Sequence, residues 1–350
     1  PNKTELANFD AELRANRIIP DGIIQVLEVV KSSHPMDALR TGISALSAFA
    51  PELKDNSVEA TISKGIRLTA MGPTIVAAHH RLRHGLEPVA PNPDLNHAGN
   101  FLYMLFDEVP DQETTDLLDV DFILHAEHGP NASAFAARVT ASTISDLHSA
   151  VTTGVGTLKG PAHGGAAEEV MKMALEIGNP ENAAEYASNL LDNGERIMGF
   201  GHRVYRAEDP RARHLRDRSK VLGEKSGHPE WFQILQQLEE DTMQPYRAKG
   251  ICVNVDFFAG SIYYLLGIPD DLFISIFALG RIPGWTLQCV EQYQDNILLR
   301  PLTEYIGEMD LEYTSCLLYT SPSPRASSAG RIPSSGRKKK GGGGGRGGGG

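Results

Sequence analysis

The fold class follows from the stretch EEVMKMALEIGNPENAAEYASNLLDNG, residues 168–194. Its first ten residues carry apolar side chains three and four positions apart, which is the spacing of one face of an α-helix. Gly178 follows them, and glycine favours the left-handed backbone that ends helices. The pattern therefore predicts a helix over residues 168–177. Its buried face is expected to consist of Val170, Met173, Ala174 and Ile177.

A second helix is predicted directly after the first. Asn179 is a favoured capping residue, and Pro180 suits a first helical turn because the backbone N–H that it lacks would have no partner there. Gly194 ends this helix. Its buried stripe is expected to consist of Ala183, Ala184, Ala187, Leu190 and Leu191.

The remaining chain extends this helical pattern in both directions. Residues 271–294 are apolar nearly all round, which predicts a helix buried in a core or an interface. The alternating β-rich runs that a parallel sheet requires are missing. We therefore predict an all-α fold up to about residue 312. We find no secretory signal and expect no apolar run long enough to span a bilayer, so no membrane partner is predicted.

The composition limits the partners of the protein. A chain of 350 residues with 41% hydrophobic content can build a large core in one or two domains. The formal net charge is −11, and it becomes −18 without residues 316–350, which hold seven Lys and Arg and no Asp or Glu. Such an acidic body is not expected to bind nucleic acid. Three scattered cysteines, Cys252, Cys289 and Cys316, predict neither disulfides nor a zinc site and favour a reducing cytoplasm.

The two ends of the chain differ from its body. Residues 315–350 are rich in Ser and Pro, then basic, then almost pure Gly, and cannot bury enough apolar surface to become ordered. A basic nucleic-acid arm is the alternative, but the abrupt change in composition favours a disordered, non-native tail. Because residue 1 is Pro rather than Met, we expect a fragment or a processed chain.

The first candidate for chemistry is His163, in the turn GPAHGG of residues 160–165. Glycines let a ligand approach the backbone, and the following helix start offers free N–H groups and a positive dipole end. A histidine there tends to stay neutral and can donate a hydrogen bond to a developing oxyanion. Taken alone, a turn histidine satisfied by the backbone is the simpler interpretation.

A second glycine turn holds His202, within GFGHRVYRAEDPRAR, residues 199–213. The arginines that follow could bind phosphate or carboxylate groups. For Arg203 and Arg213 a solvated, charged helix face is the better interpretation, and Glu208 and Asp209 would belong to the same face. Arg211 follows Asp-Pro at a predicted helix start, where its orientation is fixed, and is the stronger candidate.

Asp256 is the candidate base, because it lies among apolar residues in VNVDFFAG, residues 253–260. Loss of solvent raises the pKa of a carboxyl group and makes its anion a stronger base. The alternative is a helix N-cap, a role that Asp favours, and the two interpretations are compatible.

Further histidines are less informative. His125 and His128 have the spacing of two metal ligands, but no third ligand is evident, so we expect no metal and place His128 at a helix end facing a pocket. His79, His80 and His84 lie among arginines with no glycine turn, and we expect them at the surface.

Six segments together resemble one known family. They are HAEHGPNASAFAARVTAS (125–142), GVGTLKGPAHGGAAEEVMKM (154–173), GFGHRVYRAEDPRAR (199–213), VNVDFFAGSIYYLLGIP (253–269), ALGRIPGWTLQ (278–288) and LLRPLTEYIG (298–307). The chain resembles citrate synthase, in particular the shorter form of archaea and bacteria that includes 2-methylcitrate synthases. The resemblance extends from about Asn2 to Tyr313.

The resemblance implies a role for each matching residue. The catalytic positions match His163, His202 and Asp256. Positions that hold oxaloacetate match His128, Arg211 and Arg281, and a position that reaches into the site of the partner subunit matches Arg300. Positions at coenzyme A match Arg206, for the phosphates, and the loop of Ile197, Met198, Gly199, Phe200 and Gly201, for the adenine.

The resemblance also implies an architecture and a reaction. The family is an all-helical homodimer, so residues 1–164 and 268–314 are expected to form a large domain, and residues 165–267 a small domain that closes over it. The expected reaction joins acetyl-CoA, oxaloacetate and water to give citrate and CoA, with the thioester as a substrate and no resident cofactor. Three alternatives stay open: a 2-methylcitrate synthase that uses propionyl-CoA, a catalytically inactive helical scaffold, and a lyase that cleaves citryl-CoA.

Overall fold

The structure is a computed structural model that describes residues 2–313, apart from the side chains of residues 242–245 and 247. The tail prediction for residues 315–350 lies outside this range. Fourteen α-helices make up the described part, which contains no strand except an isolated bridge between Phe200 and Val253, so the all-α prediction is confirmed. The helices are α1 Lys3–Ala15, α2 Asp21–Val29, α3 Pro35–Leu46, α4 Val58–Arg83, α5 His97–Phe106, α6 Gln112–Ala126, α7 Ala132–Ser142, α8 Leu147–Leu158, α9 Ala166–Ile177, α10 Ala183–Asp192, α11 Ala212–Ser226, α12 Glu230–Arg247, α13 Asp256–Leu265 and α14 Phe273–Gln294.

The chain divides into two units. Pro1–Arg300 forms one compact unit that contains all fourteen helices of the described part, and Pro301–Gly350 forms the other. The described residues of the second unit, 301–313, are exposed and contain no helix. The expected small domain at residues 165–267 lies inside the first unit, so its boundaries stay a prediction.

Helix α14 is the central element of the first unit and packs against α4, α6, α7 and α8. Its Trp285 is fully buried and approaches α8 so closely that a Cβ at Gly154 would lie 2.8 Å from the indole. The segment Asp270–Gln294 is long and apolar enough to cross a membrane, contrary to the expectation that no such run exists. However, 83% of its most apolar window is buried inside the protein, so core packing explains its composition.

Helices α9 and α10 match the two helices predicted from residues 168–194, with differences in detail. Gly178 ends α9 with a φ of +66°, as expected. Pro180 begins a short 3₁₀ turn ahead of α10 rather than α10 itself. Ala184 is exposed, so its predicted burial is wrong. Tyr186 belongs to the buried face of α10 instead and packs against the core.

The prediction that His79, His80 and His84 lie at the surface is correct at one position only. His84 is exposed, His80 is half-buried, and His79 is fully buried. The prediction is wrong for His79 because α4 packs along α14, α3 and α5 at once and has little free surface at that position.

Candidate active site

Three of the predicted site residues lie at or shortly before the start of a helix, and His202 lies further ahead of one. His128 precedes α7, His163 precedes α9, His202 lies in the long segment before α11, and Asp256 is the first residue of α13. Arg281 joins them from the middle of α14. Helix N-termini carry unpaired N–H groups and a positive dipole end, so this arrangement favours anionic ligands.

Backbone hydrogen bonds join the segment that contains His202 to the segment that precedes Asp256. The N–H of Gly201 donates to the carbonyl of Cys252 at 2.8 Å, and the N–H of Asn254 donates to the carbonyl of Gly199 at 2.9 Å. Gly199 has a φ of +79°, and a Cβ there would lie 2.5 Å from the ring of Phe257. The glycine turn expected from the sequence is therefore required both by its backbone angles and by the close packing of α13.

His202 and His128 form a direct contact, with 3.0 Å between their Nε2 atoms. The N–H groups of Val204 and Tyr205 both donate to Nδ1 of His202, which assigns its hydrogen to Nε2. Nε2 of His202 is therefore the donor and Nε2 of His128 the acceptor. Burial lowers the pKa of both rings, to about 4 for His128, so both are neutral at physiological pH.

A third ring, Tyr205, completes this group. Its centroid lies 4.6 Å from that of His202 and 5.5 Å from that of His128. Nothing in the sequence singled out Tyr205, because its position depends on the turn that folds it back onto His202.

His163 is held by the start of α7. The N–H of Ser133 donates to its Nε2 at 3.2 Å, so the ring hydrogen belongs on Nδ1. The Ser133 hydroxyl lies 2.9 Å from the same nitrogen and accepts a hydrogen bond from Nε1 of Trp285. Burial, assisted by the charge of Arg281, lowers the pKa of His163. The result is a neutral, oriented ring whose Nδ1–H is a hydrogen-bond donor.

Asp256 is buried and begins α13. It follows the capping position rather than occupying it, and its own N–H donates to the side chain of Asn254. Its Oδ1 is buried and has no hydrogen-bond partner among the described residues. Burial raises the pKa of this carboxyl, while the charges of His125 and Arg211 oppose the rise.

Arg211 is oriented by Asp209, a carboxylate that the sequence pattern assigned to a solvated face. The guanidinium donates to both carboxylate oxygens, at 3.0 and 2.8 Å, and Asp209 is fully buried. Burial alone would raise the pKa of Asp209, but the hydrogen bonds and charge of Arg211 outweigh it and hold that pKa below its usual value. The Asp-Pro pair pointed to Arg211, but no local pattern indicated that Asp209 would be buried.

Arg281, in the middle of α14, interacts with several of the predicted site residues. It is buried, its Nε donates to the carbonyl of His125, and its guanidinium lies 4.8 Å from the ring centre of Phe277. Burial lowers its pKa to about 10, with Arg211 the next cause. Its charge in turn acts on His128 and His163. The guanidinium of Arg281 is therefore within electrostatic reach of both histidines, of Arg211 and of Asp256.

Three predictions remain: the loop of residues 197–201, Arg206 and Arg300. Ile197 and Gly199 are buried, Met198 and Gly201 are half-buried, and Phe200 packs against Tyr246 and Phe257. Arg206 and Arg300 are exposed, and no contact joins either one to the cluster within residues 2–313. In the same part of the chain, no group of three or more potential metal ligands is found.

Fold and site together define an all-helical enzyme whose residues suit acid–base chemistry on an anionic substrate. The chain belongs to the citrate synthase family. The family model described as the C-terminal domain of citrate synthase matches residues 1–302.

Three known proteins illustrate the relationship. A citrate synthase of Deinococcus radiodurans is 48% identical over 314 residues, which cover 89% of this chain and 83% of the relative. A 2-methylcitrate synthase of Mycobacterium tuberculosis is 43% identical, with 88% and 77% covered. The citrate synthase of Thermoplasma acidophilum, solved in a ternary complex with carboxymethyl coenzyme A and oxaloacetate, is 27% identical with a TM-score of 0.85, and 91% of this chain and 84% of that one are covered.

Proposed function

We propose that this protein condenses acetyl-CoA with oxaloacetate and water to give citrate and CoA. The names of its relatives and the bound molecules of the Thermoplasma acidophilum enzyme support this reaction. The observation that carries it is that a buried carboxylate and two neutral histidines share two arginine neighbours, Arg211 and Arg281, each of which acts on the carboxylate and on one of the histidines. Oδ1 of the carboxylate, on Asp256, has no hydrogen-bond partner in the described part of the chain, and backbone hydrogen bonds fix the N–H donors of both histidines.

The first step is removal of a proton from the thioester methyl group. Asp256 accepts the proton, and the C–H electron pair forms the carbon–carbon double bond of an enolate. Nδ1–H of His163 donates to the thioester oxygen as negative charge develops there. A general base contributes about 10²–10⁴-fold and a placed donor about 10²–10³-fold, so neither residue suffices alone.

In the second step, the electron pair of the enolate forms a bond to the ketone carbon of oxaloacetate. The ketone π pair moves to the oxygen, which takes up a proton and becomes the hydroxyl of the product. His202 donates a hydrogen bond from Nε2 to the ketone oxygen. This oxygen replaces Nε2 of His128, which is the acceptor in the structure without substrate. Arg211 and Arg281, with His128, hold the substrate carboxylates and align the two reacting carbons. Water then hydrolyses the acyl-CoA product.

The coenzyme A site and the assembly complete the proposal. Arg206 binds the phosphates, and the backbone of Ile197, Met198, Gly199, Phe200 and Gly201 surrounds the adenine. In a homodimer, each subunit supplies its Arg300 to the site of the other. The exposure of Arg300 is consistent with this role. Residues 165–267 close over residues 1–164 and 268–314, and the enzyme works in the cytoplasm.

A 2-methylcitrate synthase activity is the second candidate. It is favoured by the Mycobacterium tuberculosis relative, which is nearly as similar as the citrate synthases. The acyl groups differ by one methylene, worth about 1–3 kcal/mol in a hydrophobic pocket. One site can therefore accept both thioesters.

The test is release of free thiol from acetyl-CoA or propionyl-CoA in the presence of oxaloacetate, followed with Ellman's reagent. We expect thiol release that depends on oxaloacetate, and the ratio of kcat/KM values identifies the preferred thioester. A folded protein that releases thiol from neither substrate would refute the proposal and favour the inactive scaffold.

A further inference from the structure

The turn between α6 and α7 carries His128 and has a defined backbone path. Glu127 ends α6 with an extended backbone, and Gly129 adopts a φ of +62°, which glycine reaches without strain. The carbonyl of Gly129 then accepts a hydrogen bond at 2.7 Å from the N–H of Asn131, which caps α7. The His128 ring belongs to the middle of this turn, so its position depends on the groups that hold the turn in place.

Helix α14 lies against the end of α6, just before the turn. Nε of Arg281 donates a hydrogen bond to the carbonyl of His125. One helical turn later, Gly284 comes so close that a Cβ there would overlap the carbonyl oxygen of Ala126. Gly284 is buried, so this approach lies inside the protein. The next position on the same face of α14 is Gln288, four residues further along.

Gln288 joins α14 to the turn itself. Its Nε2 donates to Oε1 of Glu127 at 3.0 Å, and the same oxygen accepts a hydrogen bond from the N–H of Gly129. Oε1 of Glu127 therefore bridges the side chain of Gln288 to the backbone on the far side of His128. Because both hydrogen bonds end on one oxygen, loss of the Glu127 side chain breaks both of them.

Arg138 of α7 fixes the orientation of the Gln288 amide. Its Nη1 donates to Oε1 of Gln288 at 2.8 Å. A guanidinium only donates and an ionised carboxylate only accepts, so the amide oxygen faces Arg138 and the amide nitrogen faces Glu127. The guanidinium also donates from Nη1 to Glu291 at 2.9 Å and from Nε to Gln292 at 3.2 Å. The hydrogen bonds from α7 through α14 to the turn thus form one ordered series.

We propose that Glu127 and Gln288 are positioning residues for His128, which hold its ring where it can bind oxaloacetate. The proposal rests on the proposed function, because that function assigns His128 a contact with oxaloacetate. Neither positioning residue contacts the substrate in this scheme, since both act through the backbone at Gly129. Without them the turn populates other arrangements, and oxaloacetate binds only the fraction of molecules in which His128 is in place.

The test is the KM for oxaloacetate in thiol release, compared with the KM for acetyl-CoA at saturating oxaloacetate. Gln288→Ala removes one hydrogen bond to the turn, and Glu127→Ala removes two. The net contribution of one hydrogen bond corresponds to about a fivefold change in an equilibrium constant. We expect the KM for oxaloacetate to rise about fivefold in Gln288→Ala and about tenfold or more in Glu127→Ala. The KM for acetyl-CoA should stay within about twofold, because His128 does not bind it in the proposed reaction.

The matched control is Glu291→Ala. Glu291 lies on the same helix and accepts from the same Nη1 of Arg138, but within residues 2–313 no contact joins it to the turn. Its replacement should leave the KM for oxaloacetate within about twofold.

Glu127→Gln separates hydrogen bonding from charge. Burial and the charge of Arg211 lower the pKa of Arg281, and the charge of Glu127 opposes them, so a purely electrostatic role of Glu127 would also affect oxaloacetate binding. The amide oxygen of Gln accepts the same two hydrogen bonds but carries no charge. We expect Glu127→Gln to keep the KM for oxaloacetate within about threefold of the unsubstituted protein.

Two results would overturn the inference. The first is a KM for oxaloacetate in Glu127→Gln as high as in Glu127→Ala, and the second is a KM in Gln288→Ala no higher than in Glu291→Ala. Circular dichroism identifies variants that do not fold, and Gln288→Ala carries the test if Glu127→Ala is among them. Failure of the unsubstituted protein to release thiol would instead refute the proposed function.

Discussion

Nε2 of His202 donates to Nε2 of His128 across 3.0 Å, although the two residues are separated by 74 positions in the chain. The contact orients the Nε2–H of His202 toward the position of the His128 nitrogen. In the proposed reaction, a substrate oxygen takes that position. Because both rings are neutral, exchanging one acceptor for the other requires no change of protonation.

We therefore predict that His202→Ala lowers kcat in thiol release by about 10²–10³-fold, the usual effect of losing one donor to a developing oxyanion. The exposed His84 provides the control, and His84→Ala should leave kcat within about twofold. An unchanged kcat in His202→Ala would rule out the proposed role.

The turn at Gly199 gives a prediction about stability. A side chain there is opposed by the φ of +79° and by the ring of Phe257, 2.5 Å from the Cβ position. We expect Gly199→Ala to lower the free energy of unfolding by about 1–3 kcal/mol beyond Gly194→Ala. Gly194 has a φ of +72° but open space around it, so it isolates the backbone cost. Equal losses in urea titrations of the two variants would show that the packing at Gly199 is not tight.

Asp209 predicts how stability responds to acid. Its pKa is held below the ordinary value in the folded protein, so it contributes stability that is fully present above the unfolded pKa of about 3.9 and is lost as the pH falls through the lower folded value. Asp209→Asn should therefore be less stable than the unsubstituted protein at pH 7, and the difference should shrink below about pH 4. Urea unfolding across pH measures it. The exposed Asp116, replaced by Asn, is the control, and a difference independent of pH would contradict the pairing with Arg211.

The cross-subunit role of Arg300 can be tested by mixing inactive variants. Homodimers of Arg300→Ala and of His163→Ala should both be poor catalysts. If Arg300 serves the partner's site, a mixed dimer contains one site with both residues intact and should regain activity. Size-exclusion chromatography and two affinity tags identify the mixed dimers. Activity no higher than that of the parents in isolated mixed dimers would count against sharing.

The sequence alone predicted the helices and the candidate residues in the turns before them. The spacing of Val170 and Ile177 and the glycine after them reflect local geometry, which a short stretch encodes. His163 and His202 could be found because glycine turns before helices have a recognisable pattern. Their neutral state and the convergence of the cluster depend on burial and on contacts across long separations, which no local pattern contains.

The missed residues illustrate that limit. Asp209 looked like part of a charged face, but pairing with Arg211 inside the fold made it a buried anion. Asp121 and Tyr263 are 142 positions apart, and only the folded chain brings them within hydrogen-bond distance. Burial of His79 was equally hidden, because it depends on how many helices surround α4.

The most direct test of the site is a comparison of Asp256→Asn with the unsubstituted protein, with kcat measured by thiol release and oxaloacetate affinity by calorimetry. The amide is nearly isosteric with the carboxylate but cannot accept the methyl proton. We predict that kcat falls by about 10²–10⁴-fold while the Kd for oxaloacetate stays within a few-fold. A variant with normal kcat, or one that loses oxaloacetate binding while its residual turnover stays normal, would contradict the assignment of Asp256 as the base.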